Sequence, residues 1–343
     1  MKKNIIILFV SVIATYAVAQ DAHFSQYNNS PLLLNPANAG LNNNLRAIIN
    51  YRQQWRSVAN PFKTGGFSFD ANVTKDKYRK ASLGIGVQLI NDQSGDARLT
   101  MNQGNLNISS VLQLDQNSKL SVGLMGGFGT RSVNYSALRW ENQYQNGSYN
   151  SANSTGENLS SSSFSYMDAG AGIAWSYGKD QGYITQNNGM KLTIGLSAFH
   201  FGLPKTSFIG SADEKLTTKY VFHGRGEFGK QNTNLTFIPE LVFVQQGSLR
   251  EIVLGNTFRY LLSEGSHFTG FTKSSSVSLG VNYRVRDALI ASFGIDYGNF
   301  SVYMGYDITM SKLSAANKSR GGFELALKFV TPNPFSKGYR SRI

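Results

Sequence analysis

Residues 287–310 alternate so regularly that they restrict what the surrounding chain can be. Leu289, Ala291, Phe293, Ile295 and Tyr297 take one set of positions, and Ile290, Ser292, Gly294 and Asp296 the other. Gly298-Asn299 supplies a turn, after which Phe300, Val302, Met304, Tyr306 and Ile308 alternate with Ser301, Tyr303, Gly305 and Asp307. Successive side chains on a strand point to opposite faces, so this reads as a hairpin with one apolar face and one small or polar face. A soluble sheet could share that pattern. Two features argue against one: carboxylates stand opposite large aromatics, and similar segments recur almost end to end. Together they are the signature of a barrel with lipid outside and water inside.

Counting such segments gives about fourteen strands, at 45–55, 64–73, 81–90, 104–114, 119–131, 164–177, 191–201, 217–228, 234–245, 249–261, 275–286, 287–297, 299–309 and 321–330. Most are near the roughly 9–11 residues that cross a bilayer at a tilt. An open sheet this wide would curl or split. The expected fold is therefore all-β, a transmembrane antiparallel β-barrel over residues 45–330 with both ends on the periplasmic side. Pro239 cannot donate to a ladder, so the strand carrying it is expected to bulge.

The second face holds Arg46, Arg52, Asp70, Asp168, Arg225, Glu227, Glu251, Arg259, Arg284, Asp296, Asp307, Glu324 and Lys328. An Arg or Lys facing lipid at the midplane would cost about 2–4 kcal/mol. These groups are therefore expected to line the lumen, where opposite charges can pair. On the last strand Phe323, Leu325, Leu327 and Phe329 are expected outside.

Composition agrees with that reading. Charged residues are 15% of the 343, below the roughly 25% of ordinary soluble domains. The 35 glycines and the 17 Tyr and 22 Phe suit close-packed walls and interfacial girdles. With no cysteine, disulfides and thiolate-bound metals are excluded. The net charge is +13, with no motif for nucleic acid beside it, so none is expected as a partner. Solvated loops and contact with outer-membrane lipid or acidic partners account for it.

Residues 1–19 read as a signal peptide: Lys2 and Lys3, an apolar stretch, then Ala17-Val18-Ala19 as cleavage site. That apolar stretch is too short to span as a helix. Residues 20–44 carry Pro31, Pro36 and an Asn run and are not strand-like; they read as an N-terminal periplasmic leader or plug. Leu32-Leu33-Leu34 is too apolar to float free, and should tuck into the barrel mouth or dock on a neighbour. Residues 132–163 and 202–216 read as external loops, and 331–343 as a basic periplasmic tail. The short turn at 246–248 and the longer one at 262–274 fit the loop-length rule poorly, which leaves room for one miscounted strand.

No catalytic constellation is visible. His23, His200, His223 and His267 lack metal-site spacing. Gly84-x-Gly86, Gly170-x-Gly172 and Gly224-x-Gly226 lie inside strands rather than at strand-to-helix turns, which argues against a nucleotide site. Asp213-Glu214 lacks the further acidic ligands a calcium loop needs. No enzyme activity, cofactor or metal is expected. Arg52 and Trp55 read equally well as a recognition pair or as a lumen charge and an interfacial aromatic.

The motif Asp21-x-His23-Phe24-Ser25-Gln26-Tyr27, then Pro31-Leu32, Leu34-Asn35-Pro36-Ala37 and Ala39-Gly40, then Asn50-Tyr51-Arg52-x-Gln54-Trp55, resembles the PorP/SprF family of the type IX secretion system in Bacteroidetes. Tyr27, where relatives often have another aromatic, is a mild variation. The basic tail has no counterpart in the family pattern. The resemblance implies an outer-membrane barrel that supports secretion or surface attachment of large cell-surface proteins such as gliding adhesins, recognised through a C-terminal sorting domain. It implies cooperation with type IX secretion and periplasmic anchoring components. His23, Phe24, Gln26, Tyr27, Leu34, Asn35, Pro36, Gly40, Arg52 and Trp55 become the expected partner-binding or plug positions. The alternative is an outer-membrane channel or transporter for small or hydrophobic solutes.

Overall fold

The computed structural model describes residues 21–42, 45–56, 60–74, 80–145, 147–157, 162–179, 189–208, 215–230, 232–264 and 273–331. The expected signal peptide, Asp213-Glu214, His267 and residues 332–343 of the expected tail lie outside the described residues.

Fourteen antiparallel strands close into one barrel. They are β1 (Leu45–Gln54), β2 (Phe62–Asn72), β3 (Ala81–Ser94), β4 (Leu99–Gln113), β5 (Ser118–Ser132), β6 (Ser163–Lys179) and β7 (Met190–Phe199). The second half is β8 (Lys219–Gly229), β9 (Leu235–Gln246), β10 (Leu249–Ser263), β11 (Ser275–Arg284), β12 (Ala288–Tyr297), β13 (Phe300–Thr309) and β14 (Arg320–Thr331). Each pairs with its neighbours in sequence, and the seam closes where Leu45 meets Thr331 and Gln54 meets Gly322. β1 starts and β14 ends at the same rim, called here the near end. The far end carries the two longest connections, 133–162 and 200–218. Closure leaves no edge strand, since each strand is hydrogen-bonded to a neighbour on both sides.

Period-two alternation sorts the side chains as expected. Large apolar groups such as Leu124, Leu196, Val281 and Leu327 stand exposed on the outer wall. Arg46, Arg52, Asp70, Asp168, Arg284, Asp307 and Glu324 are buried inside. Arg225, Glu227, Glu251, Arg259 and Lys328 line the interior cavities, and Asp296 receives hydrogen bonds from Ser276 and Tyr303 on that side. The described residues hold no helix long and apolar enough to span a membrane.

Two local expectations change. Pro239 causes no bulge: it pairs with Asn256 in an unbroken ladder to β10. Toward β8 the register also continues unshifted from Arg225–Glu240 to Phe228–Phe237, with the two rungs between them missing. The proline's missing donor is absorbed on one side because the other neighbour holds the strand in place. Register shifts occur instead at Leu261/Ser263 and Asp307/Ile308. The short connection at Gly247-Ser248 joins two real strands, so none was miscounted.

Leu279, at the middle of β11, is 62% exposed on the outer wall. Leu279→Arg should lower the unfolding free energy by about 2–4 kcal/mol in lipid vesicles. Urea titration of vesicle-inserted protein measures this; an unchanged midpoint would place that face in water.

Candidate functional site

The segment 21–42 does not rest at one mouth of the barrel; it threads the lumen from far end to near end. Its sequence explains its shape. Ser30-Pro31 and Asn35-Pro36 each place proline at the first position of a short helical turn, Pro31–Leu34 and Pro36–Asn38. The residue before a proline is held extended, and Asn35 sits at φ −162°, ψ 125°. From there its side chain caps the second turn by accepting from the Ala37 N–H at 2.8 Å. Gly40, at φ +61°, ends the segment where an added Cβ would meet the Ala71 carbonyl at 2.9 Å.

At the far end Asp21 is the anchor. Its carboxylate lies 2.7 Å from His200 Nε2 and 3.4 Å from Lys219 Nζ, and the Gln246 amide donates to it at 3.3 Å. His200 Nδ1 faces Asp168 at 2.9 Å, so the imidazole bridges two carboxylates. His200 lies just beyond the end of its strand. Burial opposes its charging, but the hydrogen bonds and charges of Asp168 and Asp21 outweigh that and raise its pKa to about 9. Burial likewise opposes the charge on Asp21, yet Lys219 and His200 hold its carboxyl well below the usual range. His23 Nε2 approaches Glu251 at 3.8 Å.

One level deeper lies a buried charge network. Arg52 and Arg284 reach Asp307 at 3.2 and 2.8 Å. The Ser25 hydroxyl donates to the same carboxylate at 2.6 Å. The Ser25 and Gln26 N–H groups donate to Glu324 at 2.6 and 3.0 Å, and Tyr27 Oη donates to Glu251 at 2.6 Å. Arg52 also donates to the His23 carbonyl at 2.8 Å. Wall carboxylates thus satisfy backbone donors that a threaded segment would otherwise bury unpaired.

Below this level, small wall residues do the same for carbonyls. Ser197 donates to Leu34 at 2.5 Å, Ser121 to Ala37 at 2.7 Å and Ser109 to Ala39 at 2.6 Å. Asn50 donates to the Asn29 carbonyl, and Asn35 to the carbonyls of Ile173 and Leu196. Tyr27 and Leu34 pack with Met125, Phe199, Val221, Val242 and Val253. Ala37 and Leu41 pack with Val111 and Ala174. At the near end Asp70 accepts from Gly40 N–H and Arg46, and Ser176 donates to Asn42.

Of the expected positions, His23, Phe24, Gln26, Tyr27, Leu34, Asn35, Pro36 and Gly40 lie along this thread, and Arg52 holds it. Trp55 lies past the end of β1 and tilts against Phe62 at 4.9 Å between ring centroids. Arg52 and Trp55 both border a far-end cavity of about 490 Å³, and Arg52 spends its donors on Asp307 and His23. Sequence reasoning missed Asp21, Ser25, His200 and Lys219 as anchors. It also missed the inward glycines that make the groove. A Cβ at Gly66 would lie 2.9 Å from the Phe24 ring, and one at Gly86 2.9 Å from Leu32. Gly84, Gly123 and Gly172 similarly face Ala39, Ala37 and Asn35. Inward glycines beside inward serines were the available signal. Among the described residues no group of three metal-ligating side chains occurs.

Gly123→Val would drive its side chain into the Ala37 backbone. Insertion of the barrel should survive, while limited proteolysis should cut within 21–42, at least tenfold faster than in the parent. For His200 the folded pKa is raised, so its contribution is complete below about pH 6.5 and is lost as pH climbs through about 9. That contribution is on the order of 3 kcal/mol. Protease protection of the thread should fall between pH 6.5 and 9.5, and His200→Ala should be less protected at pH 6.5 and flat across that window.

No curated protein matches the chain. Among solved structures it is similar to a KdgM porin in complex with disordered oligogalacturonate, at 8% identity over 83% of this chain and 99% of that one, TM-score 0.38. It is similar to a Pseudomonas aeruginosa FadL homologue at 10% identity over 83% and 90%, TM-score 0.42. It is also similar to BamA from Haemophilus ducreyi lacking POTRA domains 1–3, at 9% identity over 84% and 70%, TM-score 0.42. The model of the type IX secretion system membrane protein PorP/SprF matches residues 17–329, nearly the whole length. With a closed lipid-facing barrel and that match, the chain belongs to the PorP/SprF family and is an outer-membrane component of the type IX secretion system.

Proposed function

We propose that this barrel binds a large secreted surface protein through its C-terminal sorting domain and supports its secretion or attachment, without chemistry of its own. The far end then faces outward and the near end the periplasm, where type IX secretion and anchoring components make contact. One observation carries the reading: the lumen is occupied along its length by the chain's own residues 21–42, held by buried charges rather than by a few exposed contacts. A wall built to hold a plug suits a scaffold better than a conduit.

The far-end loop 133–162 supports a docking role. It folds back on itself: Tyr144 pairs with Tyr149, their rings 5.4 Å apart, and Arg139 lies over the Tyr149 ring at 5.0 Å. Aromatic and Arg side chains held rigid in this way are the residue types that anchor protein interfaces. Cavities at the two ends favour the second reading, a channel or transporter for small or hydrophobic solutes.

Affinity purification from native membranes separates these readings. The scaffold should retain a large surface protein, and replacing residues 134–157 with a short Gly-Ser linker should abolish retention without preventing insertion. In planar bilayers it should show no steady conductance. A barrel that purifies alone and conducts steadily would overturn the proposal in favour of transport.

A further inference from the structure

The two ends of the lumen are electrostatically unlike. The far-end cavity is balanced: Arg52, Arg131, Arg250 and Arg284 face Asp21, Asp92, Glu251 and Asp287. A second cavity, of about 400 Å³, lies toward the near end between the wall and the thread from Asn28 to Asn42. Its wall carries Arg46, Lys119, Lys191, Arg225, Arg259 and Lys328 against one carboxylate, Glu227.

Four carboxylates lie within 4.0 Å of the arginines of this set, and none of them reaches Lys191 or Lys328. Arg46 is matched by Asp70 at 2.8 Å. Arg225 and Arg259 share Glu227, at 3.1 and 3.3 Å. The Nε atoms of the two face Glu240 at 3.7 Å and Asp296 at 4.0 Å, beyond hydrogen-bond distance. Both guanidinium Nε atoms are buried and lack a hydrogen bond. Among the described residues, Lys191 and Lys328 have no carboxylate within 4.0 Å; Lys328 lies 6.0 Å from the face of Tyr303. Two guanidinium groups and two ammonium groups thus line one cavity.

Walls of low dielectric focus such a field on the cavity between them, and guanidinium forks match the geometry of oxyanions. We propose that the near-end cavity is a binding site for a multiply charged oxyanion, a phosphate or clustered carboxylate group, drawn from the periplasmic side. Lys191, exposed at the rim, admits the anion, and Arg225, Arg259 and Lys328 hold it. The size suits a small solute or the headgroup of one lipid.

The test uses the full mature chain in an uncharged detergent, titrated calorimetrically with inorganic pyrophosphate at fixed ionic strength. Pyrophosphate should bind at one site, and affinity should drop at least tenfold in Lys191→Gln/Lys328→Gln. Lys191→Gln alone, at an exposed position, should weaken binding without disturbing the barrel. Arg250→Gln makes the same charge change at the far end and should leave the affinity unchanged. Phosphorus measured in the purified protein distinguishes the sources. One phospholipid per barrel, displaced by pyrophosphate, identifies a headgroup; none identifies a free solute. No binding to the parent chain, or equal weakening by Arg250→Gln, would overturn the proposal.

Discussion

The structure depends on one requirement: a polypeptide threaded through a closed barrel must have its backbone polar groups paired by the wall. A buried amide or carbonyl without a partner costs about 1–3 kcal/mol. Over a segment as long as residues 21–42, that would exceed the marginal stability of a typical domain, about 5–15 kcal/mol. The wall meets the requirement in two ways. Toward the far end, Glu324 accepts from the Ser25 and Gln26 N–H groups, and Asp307 accepts from the Ser25 hydroxyl. Toward the near end, wall serines donate to carbonyls of the thread. The buried acids are tolerable because Arg52 and Arg284 converge on Asp307; a buried charge lacking its partner would be strongly destabilising.

The same requirement explains the glycines. A lumen wall of larger residues would leave no room for a helical turn, and an empty lumen would need large residues to fill it. Gly84, Gly123 and Gly172 remove side chains where the thread comes nearest, and Ser109, Ser121 and Ser197 stand close by to make the bonds. Wall and thread are therefore one interior. Lipid solvates the outer face, and the core that a soluble protein would bury between layers lies inside the cylinder around Leu34 and Ala37.

The barrel was legible in the sequence because period two is a local signal repeated fourteen times, so errors at single strand ends cancel. The inward charges were legible for the same reason. Pro239 misled because a missing donor was weighed without the neighbouring strand that holds its register. The prolines and asparagines of residues 21–42 announced irregular structure. They did not announce its path, since the bonds that set it link residues as distant as Ser25 and Glu324. Inward glycine was read as wall packing because nothing local separates a glycine facing another strand from one facing a plug. The recognition motif ran through Asp21 and Ser25, but their anchoring roles and their wall partners appear only once the barrel closes.

In the proposed orientation residues 21–42 run through the lumen with their start at the outward mouth. The chain has no cysteine, so single introduced thiols report cleanly. A membrane-impermeant maleimide applied to intact cells should label Ala22→Cys, which borders the far-end cavity. Asn42→Cys, at the near end, should react only after the envelope is opened. Labelling of both positions from the same side, or protection of Ala22→Cys until the envelope is broken, would contradict the account.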